Sequence, residues 1–283
     1  MSLILNGKAV QEAVKARLID EIKSLVPKPK IVIVQVGDLA SSNVYIQKKK
    51  TFGESVGAEV EHRKCPELIS NEDLLTIIKS FNNDGSVHGI ILQIPIPKHL
   101  DKSVLIEAID PRKDVDGLHS TNLKLLSEND PRCFIPATSK GVLSLLDHYE
   151  IPIAGKRVVI VGRSSLVGKP TALLMLNRDA TVVICHSKTV DLSEETRRAD
   201  ILIAAAGQPR LIGPEFVSAG QTVIDVSINV SVDKGSGQAL VGDVDFEKVK
   251  DIVAAISPVP GGVGPMTVAS LFENLLKAYK NQK

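Results

Sequence analysis

The sequence predicts an α/β protein of two domains, each built on a parallel sheet. Three observations predict it. Continuous β-branched runs such as IVIVQV (31–36), and the run ending at Val161, read as strands buried on both faces. These runs alternate with helix-period segments in both halves, which gives β-α-β units with right-handed crossovers. Between the halves lies STNLKLLSENDPRCFIPATSKG, polar and rich in turn residues, which reads as a connection. A chain of 283 residues is long enough for two such domains with separate cores.

Taken in order, the start MSLILNGKAVQEAVKARL has too short an apolar run for a signal peptide and turns into an amphipathic helix. After IVIVQV a helix is expected from about Ser42 to Val56, then a strand at AEVEHRKC (58–65) and a helix at NEDLLTIIKSF (71–81). The strand GIILQI (89–94) and a helix near Lys102–Ile109 complete the first half. A helix at about Ser139–Tyr149 opens the second. A strand then ends at Val161, and a glycine-bearing turn leads to a helix with Pro170 in its first turn, where a missing N–H costs least. Strands follow at TVVIC (181–185), DILIAA (200–205), TVIDV (222–226) and VAAI (253–256), making a second doubly wound unit. The last segment, TVASLFENLLKAY (267–279), is an amphipathic helix expected to return and pack on the first domain.

Composition excludes several classes of function. Hydrophobic residues at 43% and charged residues at 24% are the mix of a soluble globular protein. Lysines and arginines (34) balance acids (33), so no field of one sign draws the chain to nucleic acid or a membrane surface. With 3% aromatics and no Trp there is no platform for stacking bases. Cys65, Cys133 and Cys185 stand far apart, form neither a zinc site nor a disulfide framework, and suit a reducing cytosol. No apolar run approaches the roughly 20 residues of a membrane span. The expectation is a soluble cytoplasmic α/β protein with no metal site.

Sites in open α/β sheets gather at the carboxyl ends of the strands. In SNVYIQKKK (42–50), Lys49 sits one helical turn beyond Tyr45 on the same face, Lys48 is next best placed, and Lys50 points elsewhere. GIILQIPIP (89–97) ends a buried strand in Gln93, and a polar side chain that deep needs a partner. That partner is either a structural group or the Lys49 amine, whose pKa partial burial would lower from about 10.4 toward the roughly 7–8 of a catalytic lysine. KDVDG (113–117) is either a plain Asp-Gly turn or a site where Asp114 or Asp116 accepts hydrogen bonds from a polar heterocycle.

GRSSLVG (162–168) offers backbone N–H groups and a helix N-terminus to a diphosphate. Ser164 and Val167 replace the second and third glycines of G-x-G-x-x-G, so an ordinary strand-to-helix turn is the competing reading. The next strand ends in CHSKT (185–189), without the acid that would hold ribose hydroxyls. Ser187 and Lys188, with Arg163 in the first turn, suit a 2′-phosphate and hence NADP over NAD; the bland alternative is a polar loop end. SPVPGGVGPMT (257–267) packs three prolines and three glycines into eleven residues, more than a connector needs, and reads as a loop that lets backbone approach a flat ligand. The six histidines show no metal-ligand spacing; His186 falls at the cofactor loop.

These stretches together resemble the bifunctional methylenetetrahydrofolate dehydrogenase/methenyltetrahydrofolate cyclohydrolase family. The likeness runs in family order through SNVYIQKK, GIILQIPIPKHL, KDVDGLHSTNL, VVIVGRSSLVGKPTALLML, TVVICHSKT, ADILIAAAG, VIDVSIN, LVGDVDF and SPVPGGVGPMT. It implies a folate-binding catalytic domain of residues 1–118 plus 268–283, a linker of 119–140, and a Rossmann-like NADP-binding domain of 141–267. The implied activity is NADP-dependent oxidation of 5,10-methylenetetrahydrofolate and hydrolysis of the methenyl product to 10-formyltetrahydrofolate, in one shared cleft of a cytoplasmic homodimer that serves one-carbon metabolism and purine biosynthesis. By resemblance Lys49 is the general acid/base, with Lys48 and Lys50 as solvated neighbours; Tyr45 orients the folate, Gln93 tunes Lys49, and Asp116 grips the pterin. Pro260 and Gly261 belong to a substrate-side loop, Pro260–Gly264, that closes over the reacting end, and Gly162, Arg163, Ser164, Ser187 and Ile228 line the cofactor site.

Four positions depart from the family pattern. Ala137 stands in place of the cysteine of PCTP, which is expected to shift the start of the following helix. Ser227 replaces the glycine of VIDVGIN, where a side chain threatens to crowd the nicotinamide, so a cyclohydrolase with weak or lost dehydrogenase activity is the nearest alternative. Ser257 for threonine is mild, and nothing follows from Lys124 for glycine. A short-chain dehydrogenase shares the Tyr-x-x-x-Lys spacing, but there the pair follows the nucleotide turn, whereas Tyr45 precedes Gly162. A non-catalytic cofactor-binding regulator would have no use for a tuned lysine.

Overall fold

The computed structural model describes residues 2–233 and 237–283. Along the chain come β1 (Leu3–Ile4), α1 (Gly7–Ile22), β2 (Lys30–Val36), α2 (Ala40–Ser55), β3 (Glu59–Cys65), α3 (Asn71–Asn83) and β4 (Gly89–Leu92). Next are α4 (Lys102–Glu107), α5 (Ser120–Ser127), α6 (Ala137–His148), β5 (Arg157–Val161), α7 (Gly168–Leu176), β6 (Thr181–Cys185) and α8 (Leu192–Arg197). The remainder is β7 (Ile201–Ala204), β8 (Thr222–Asp225), β9 (Asn229–Asp233), β10 (Gly237–Val241), α9 (Phe246–Val249), β11 (Ala255–Ile256) and α10 (Val263–Asn281).

The chain divides into two units, residues 1–12 with 138–267 and residues 13–137 with 268–283. The sequence groups residues 1–12 with the first half; the structure places them in the second, because β1 pairs in parallel with β11 (Leu3 opposite Ala255, Ile4 opposite Ile256). Most of the expected linker, 119–137, lies in the first-half unit. It carries α5, held by Asn122, whose Nδ2 donates to Asp114 Oδ2 at 2.8 Å and to Pro111 O at 3.1 Å.

The Lys49-bearing unit has a three-stranded parallel sheet in the order β3-β2-β4. Its continuous apolar strands are buried on both faces; Val32, Val34, Ile90 and Leu92 pack with Leu74 and Ile78 of α3 and with Leu105 of α4. α3 begins where the sequence puts it: Ser70 Oγ accepts the Asp73 N–H at 3.1 Å, and Glu72 and Asp73 favour the positive end of the helix dipole. The final helix α10 packs in this unit as expected. Phe272 meets Phe52 of α2 with ring centroids 5.4 Å apart, and Asn274 donates to Val115 O and Ile135 O, both at 2.9 Å.

The other unit has a six-stranded parallel sheet in the order β1-β11-β8-β7-β5-β6, plus the antiparallel pair β9 and β10. Its core is the buried faces of β5, β7 and β8, with Val159, Leu202 and Val223 among the residues at 0% exposure. Among the described residues no helix is long and apolar enough to cross a membrane.

Candidate active site

Lys49 and Gln93 meet. The Lys49 ammonium donates to Gln93 Oε1 at 2.9 Å, and Gln93 Nε2 donates to Ile94 O at 2.8 Å, which fixes the amide so that its oxygen faces the lysine. Gln93 follows β4 directly and is buried, so the sequence argument that it needs a partner is answered by the amine. Lys49 is half-buried as a residue, but its amine, at the far end of the side chain, is enclosed, and burial pushes its pKa down while the charge of Asp116 pulls it back up. Asp116 shows the mirror effect: burial pushes its carboxyl up and Lys49 opposes this. Tyr45 is half-buried one turn earlier on α2, and burial raises its phenol. Lys48 is exposed, as expected, with its ammonium 5.4 Å from the Tyr45 ring centre. Lys50, read as solvated, is half-buried and its charge helps hold His62 below its ordinary pKa, after burial itself.

The two aspartates of KDVDG separate cleanly. Asp114 is 1% exposed and spent inside the turn, accepting from Gly117 N at 3.1 Å, His119 N at 2.8 Å and Asn122 Nδ2 at 2.8 Å. Asp116 is the one left to face Lys49. Gly117 is required by the fold: its φ is +74°, and a Cβ there would lie 2.5 Å from Phe134 O. Ala137 donates its N–H to Asp116 O at 3.2 Å and begins α6, so the helix starts two residues before the sequence places it. Sequence reasoning missed Asn122 and Asn274, whose amides pin this turn, the first from the neighbouring α5 and the second from the far end of the chain.

In the other unit Arg163 and Ser187 lie at one end of the sheet. Val161 pairs with Cys185, Gly162 N donates to Cys185 O at 2.9 Å, and both Arg163 and Ser187 are exposed just beyond. Gly162 has φ +128°, and a Cβ on it would stand 2.1 Å from Ala205 O; one on Gly168 would stand 2.2 Å from Gly162 O. Only glycines let α7 start this close to the end of β5, the cradle a diphosphate requires. Ser164 Oγ accepts Val167 N at 3.1 Å and Gly168 N at 3.4 Å, so it shapes the turn and keeps its hydroxyl hydrogen to donate. His186 Nδ1 accepts the Lys188 N–H at 3.1 Å and orders the neighbouring loop.

Ile228 follows β8 and is 36% exposed, an apolar surface for a flat ring. A Cβ on Gly264 would touch its Cδ1 at 3.3 Å, so the Pro260–Gly264 segment runs beside Ile228, in the unit that does not contain Lys49. The segment is not a loop throughout: α10 already begins at Val263. Ser227 has a partner of its own, its hydroxyl donating to Asp243 Oδ2 at 2.7 Å. Nearby, burial pushes the Asp225 carboxyl up to about 7, with the charge of Asp243 adding to the effect. The sequence showed these aspartates only as ordinary polar residues at strand ends.

The fold and these two sets of residues define an α/β enzyme with a nucleotide-binding unit and a lysine-centred unit. Residues 5–116 match the catalytic-domain model and residues 136–283 the NAD(P)-binding-domain model of tetrahydrofolate dehydrogenase/cyclohydrolase. The bifunctional protein FolD of Methanoculleus marisnigri is 47% identical, covering 98% of this chain and 96% of its own. The FolD methylenetetrahydrofolate dehydrogenase/cyclohydrolase structure of Campylobacter jejuni superposes with a TM-score of 0.96 at 41% identity over all of both chains. That of Trypanosoma brucei, solved with NADP and an inhibitor, superposes with a TM-score of 0.94 at 33% identity over 99% of this chain and 98% of its own. The chain belongs to the tetrahydrofolate dehydrogenase/cyclohydrolase family.

Proposed function

We propose that Lys49 is the acid/base of a bifunctional methylenetetrahydrofolate dehydrogenase/cyclohydrolase, with Gln93 holding its amine, Asp116 balancing its charge and gripping the pterin, and Tyr45 orienting the folate. The enzyme oxidises 5,10-methylenetetrahydrofolate to the 5,10-methenyl form and hydrolyses that to 10-formyltetrahydrofolate. NADP⁺, when bound, accepts the hydride from the carbon bridging N5 and N10. Gly162 and the first N–H groups of α7 would hold its diphosphate, Arg163 and Ser187 its 2′-phosphate, and Ser164 and Ile228 the rest of its surface.

Hydrolysis is the work of Lys49. The neutral amine takes a proton from the water that adds to the methenyl carbon. The ammonium so formed returns a proton to N5 as the bond from that carbon to N5 breaks, and the second hydrogen of the added water leaves as a proton, so that its oxygen becomes the carbonyl of the formyl group on N10. The 2.9 Å contact of Lys49 with Gln93 is the observation that carries this reading, because it holds an enclosed amine whose pKa burial has lowered. The Ser227 hydroxyl turns to Asp243, which supports a retained dehydrogenase step.

Three buried free cysteines support a reducing, cytoplasmic compartment, and the family resemblance supports a homodimer feeding purine biosynthesis. The test is to mix the protein with methylenetetrahydrofolate and NADP⁺ or NAD⁺, following reduced nucleotide, and to follow loss of methenyltetrahydrofolate separately. Reduced nucleotide with NADP⁺ ahead of NAD⁺, and accelerated methenyl loss, are expected. Turnover of neither folate would overturn the assignment.

A further inference from the structure

The chain that follows β7 and β8 is held by a carboxylate to which none of the roles above gives a task. Asp243 is fully buried beyond the end of β10. Its Oδ2 accepts the N–H groups of Ala206 at 2.6 Å and Gly207 at 3.0 Å and the Ser227 hydroxyl at 2.7 Å. Its Oδ1 accepts Gln208 N at 2.7 Å and Asn229 Nδ2 at 3.0 Å. These donors come from two loops at the carboxyl ends of neighbouring strands, for Ala204 pairs with Asp225. Ligands of open α/β sheets bind at such ends. Ile228 lies between Ser227 and Asn229, so the residue offered to the cofactor is tied to Asp243 on both sides.

Asp243 is itself fixed. Asp225 Oδ1 accepts its N–H at 3.1 Å and that of Ser227 at 3.2 Å, and Asp225 Oδ2 accepts Val244 N at 2.7 Å. A Cβ on Gly242 would stand 1.8 Å from Asp225 Oδ2, so glycine is what lets the chain pass. We infer that Asp243 is a positioning residue for the nucleotide: it clamps residues 206–208 to residues 227–229 and so sets Ile228, with Ser227 as a clamp point that a glycine there would lack. The inference rests on the nucleotide-binding reading of this unit.

The test measures NADP⁺ dissociation constants and the ratio of dehydrogenase to cyclohydrolase turnover for the wild type, Asp243→Asn and Ser227→Ala. Asp243→Asn removes the charge and one acceptor, and about tenfold weaker NADP⁺ binding is expected; Ser227→Ala removes one donor, for about threefold. The activity ratio should fall in both. A wild type that binds no NADP⁺ would overturn the nucleotide reading itself. A wild type that binds it, with both variants binding equally well, would overturn only the clamp, as would a parallel loss of both activities at unchanged NADP⁺ affinity. Should Asp243→Asn not fold, Ser227→Ala decides by the same two measurements.

Discussion

Replacing Gln93 by leucine probes the coupling on which hydrolysis depends. Gln93 Oε1 accepts from the Lys49 amine at 2.9 Å, and leucine is of similar size but accepts nothing. A hydrogen bond from a charged donor contributes about 1.5–3 kcal/mol and one from a neutral donor about 0.5–1.5 kcal/mol. The glutamine therefore favours the ammonium over the amine by about 1–1.5 kcal/mol. Without it, Lys49, already lowered by burial, should fall further. On the proposed reading the active base is the neutral amine, so the rising limb of cyclohydrolase kcat against pH should move to lower pH. The freed amine also loses its aim, and the plateau should drop by about 100-fold. The assay is methenyltetrahydrofolate loss across pH, in wild type and variant. A lower plateau with an unmoved limb would refute the tuning argument, and an unchanged profile would remove Gln93 from the site.

Lys49→Met should reduce cyclohydrolase turnover by at least about 100-fold while NADP⁺ binding, read by titration, stays at the wild-type value. Wild-type-like hydrolysis would take the lysine out of its role. Arg163→Ala should weaken NADP⁺ several-fold more than NAD⁺, as the KM values of the two nucleotides would show; equal losses would mean the 2′-phosphate is read elsewhere. Gly53→Ala places a methyl 2.4 Å from Val60 Cγ2 and 2.6 Å from Phe272 Cζ, beneath the helix that carries Lys49. Overpacking should cost about 1–3 kcal/mol, visible as a lower urea midpoint. A gain in stability, as helix propensity alone would give, would contradict the close packing.

What could be read in the sequence divides along a physical line. Strands buried on both faces announce themselves as unbroken apolar runs, so β2, β4, β5, β7 and β8 are found with small errors at their ends. β1 is two residues long and β9–β10 is a polar hairpin, and neither has a run to detect. SPVPGGVGPMT reads as loop throughout because it is rich in helix breakers. Yet Pro265 is only the third residue of α10, inside the first turn, where its absent N–H has no helical partner to lose. Lys49 and Gln93 could be paired in advance because each carried half of the evidence: a lysine on a helix face shared with Tyr45, and a buried amide at a strand end in need of a partner. The Asp225–Asp243 clamp could not, since its bonds run from carboxylates to backbone N–H groups, which no pattern of residue types announces.

On the proposed reading, the surroundings of Lys49 also bear on when its amine becomes a base. Methylenetetrahydrofolate carries no charge at the reacting carbon, and Asp116 then favours a protonated Lys49. Loss of hydride leaves a cation. A cation bound about 4 Å from an ammonium, at an effective dielectric of about 20, would cost about 4 kcal/mol. On that reading, oxidation of the substrate would drive a proton off Lys49 at the moment a base is needed, and Asp116, left as the uncompensated charge, would attract the cation that remains. A glutamate at this position would instead meet like-charge repulsion from Asp116, so one carboxyl of the pair would stay protonated and neutral, leaving no cation for the oxidised substrate to discharge.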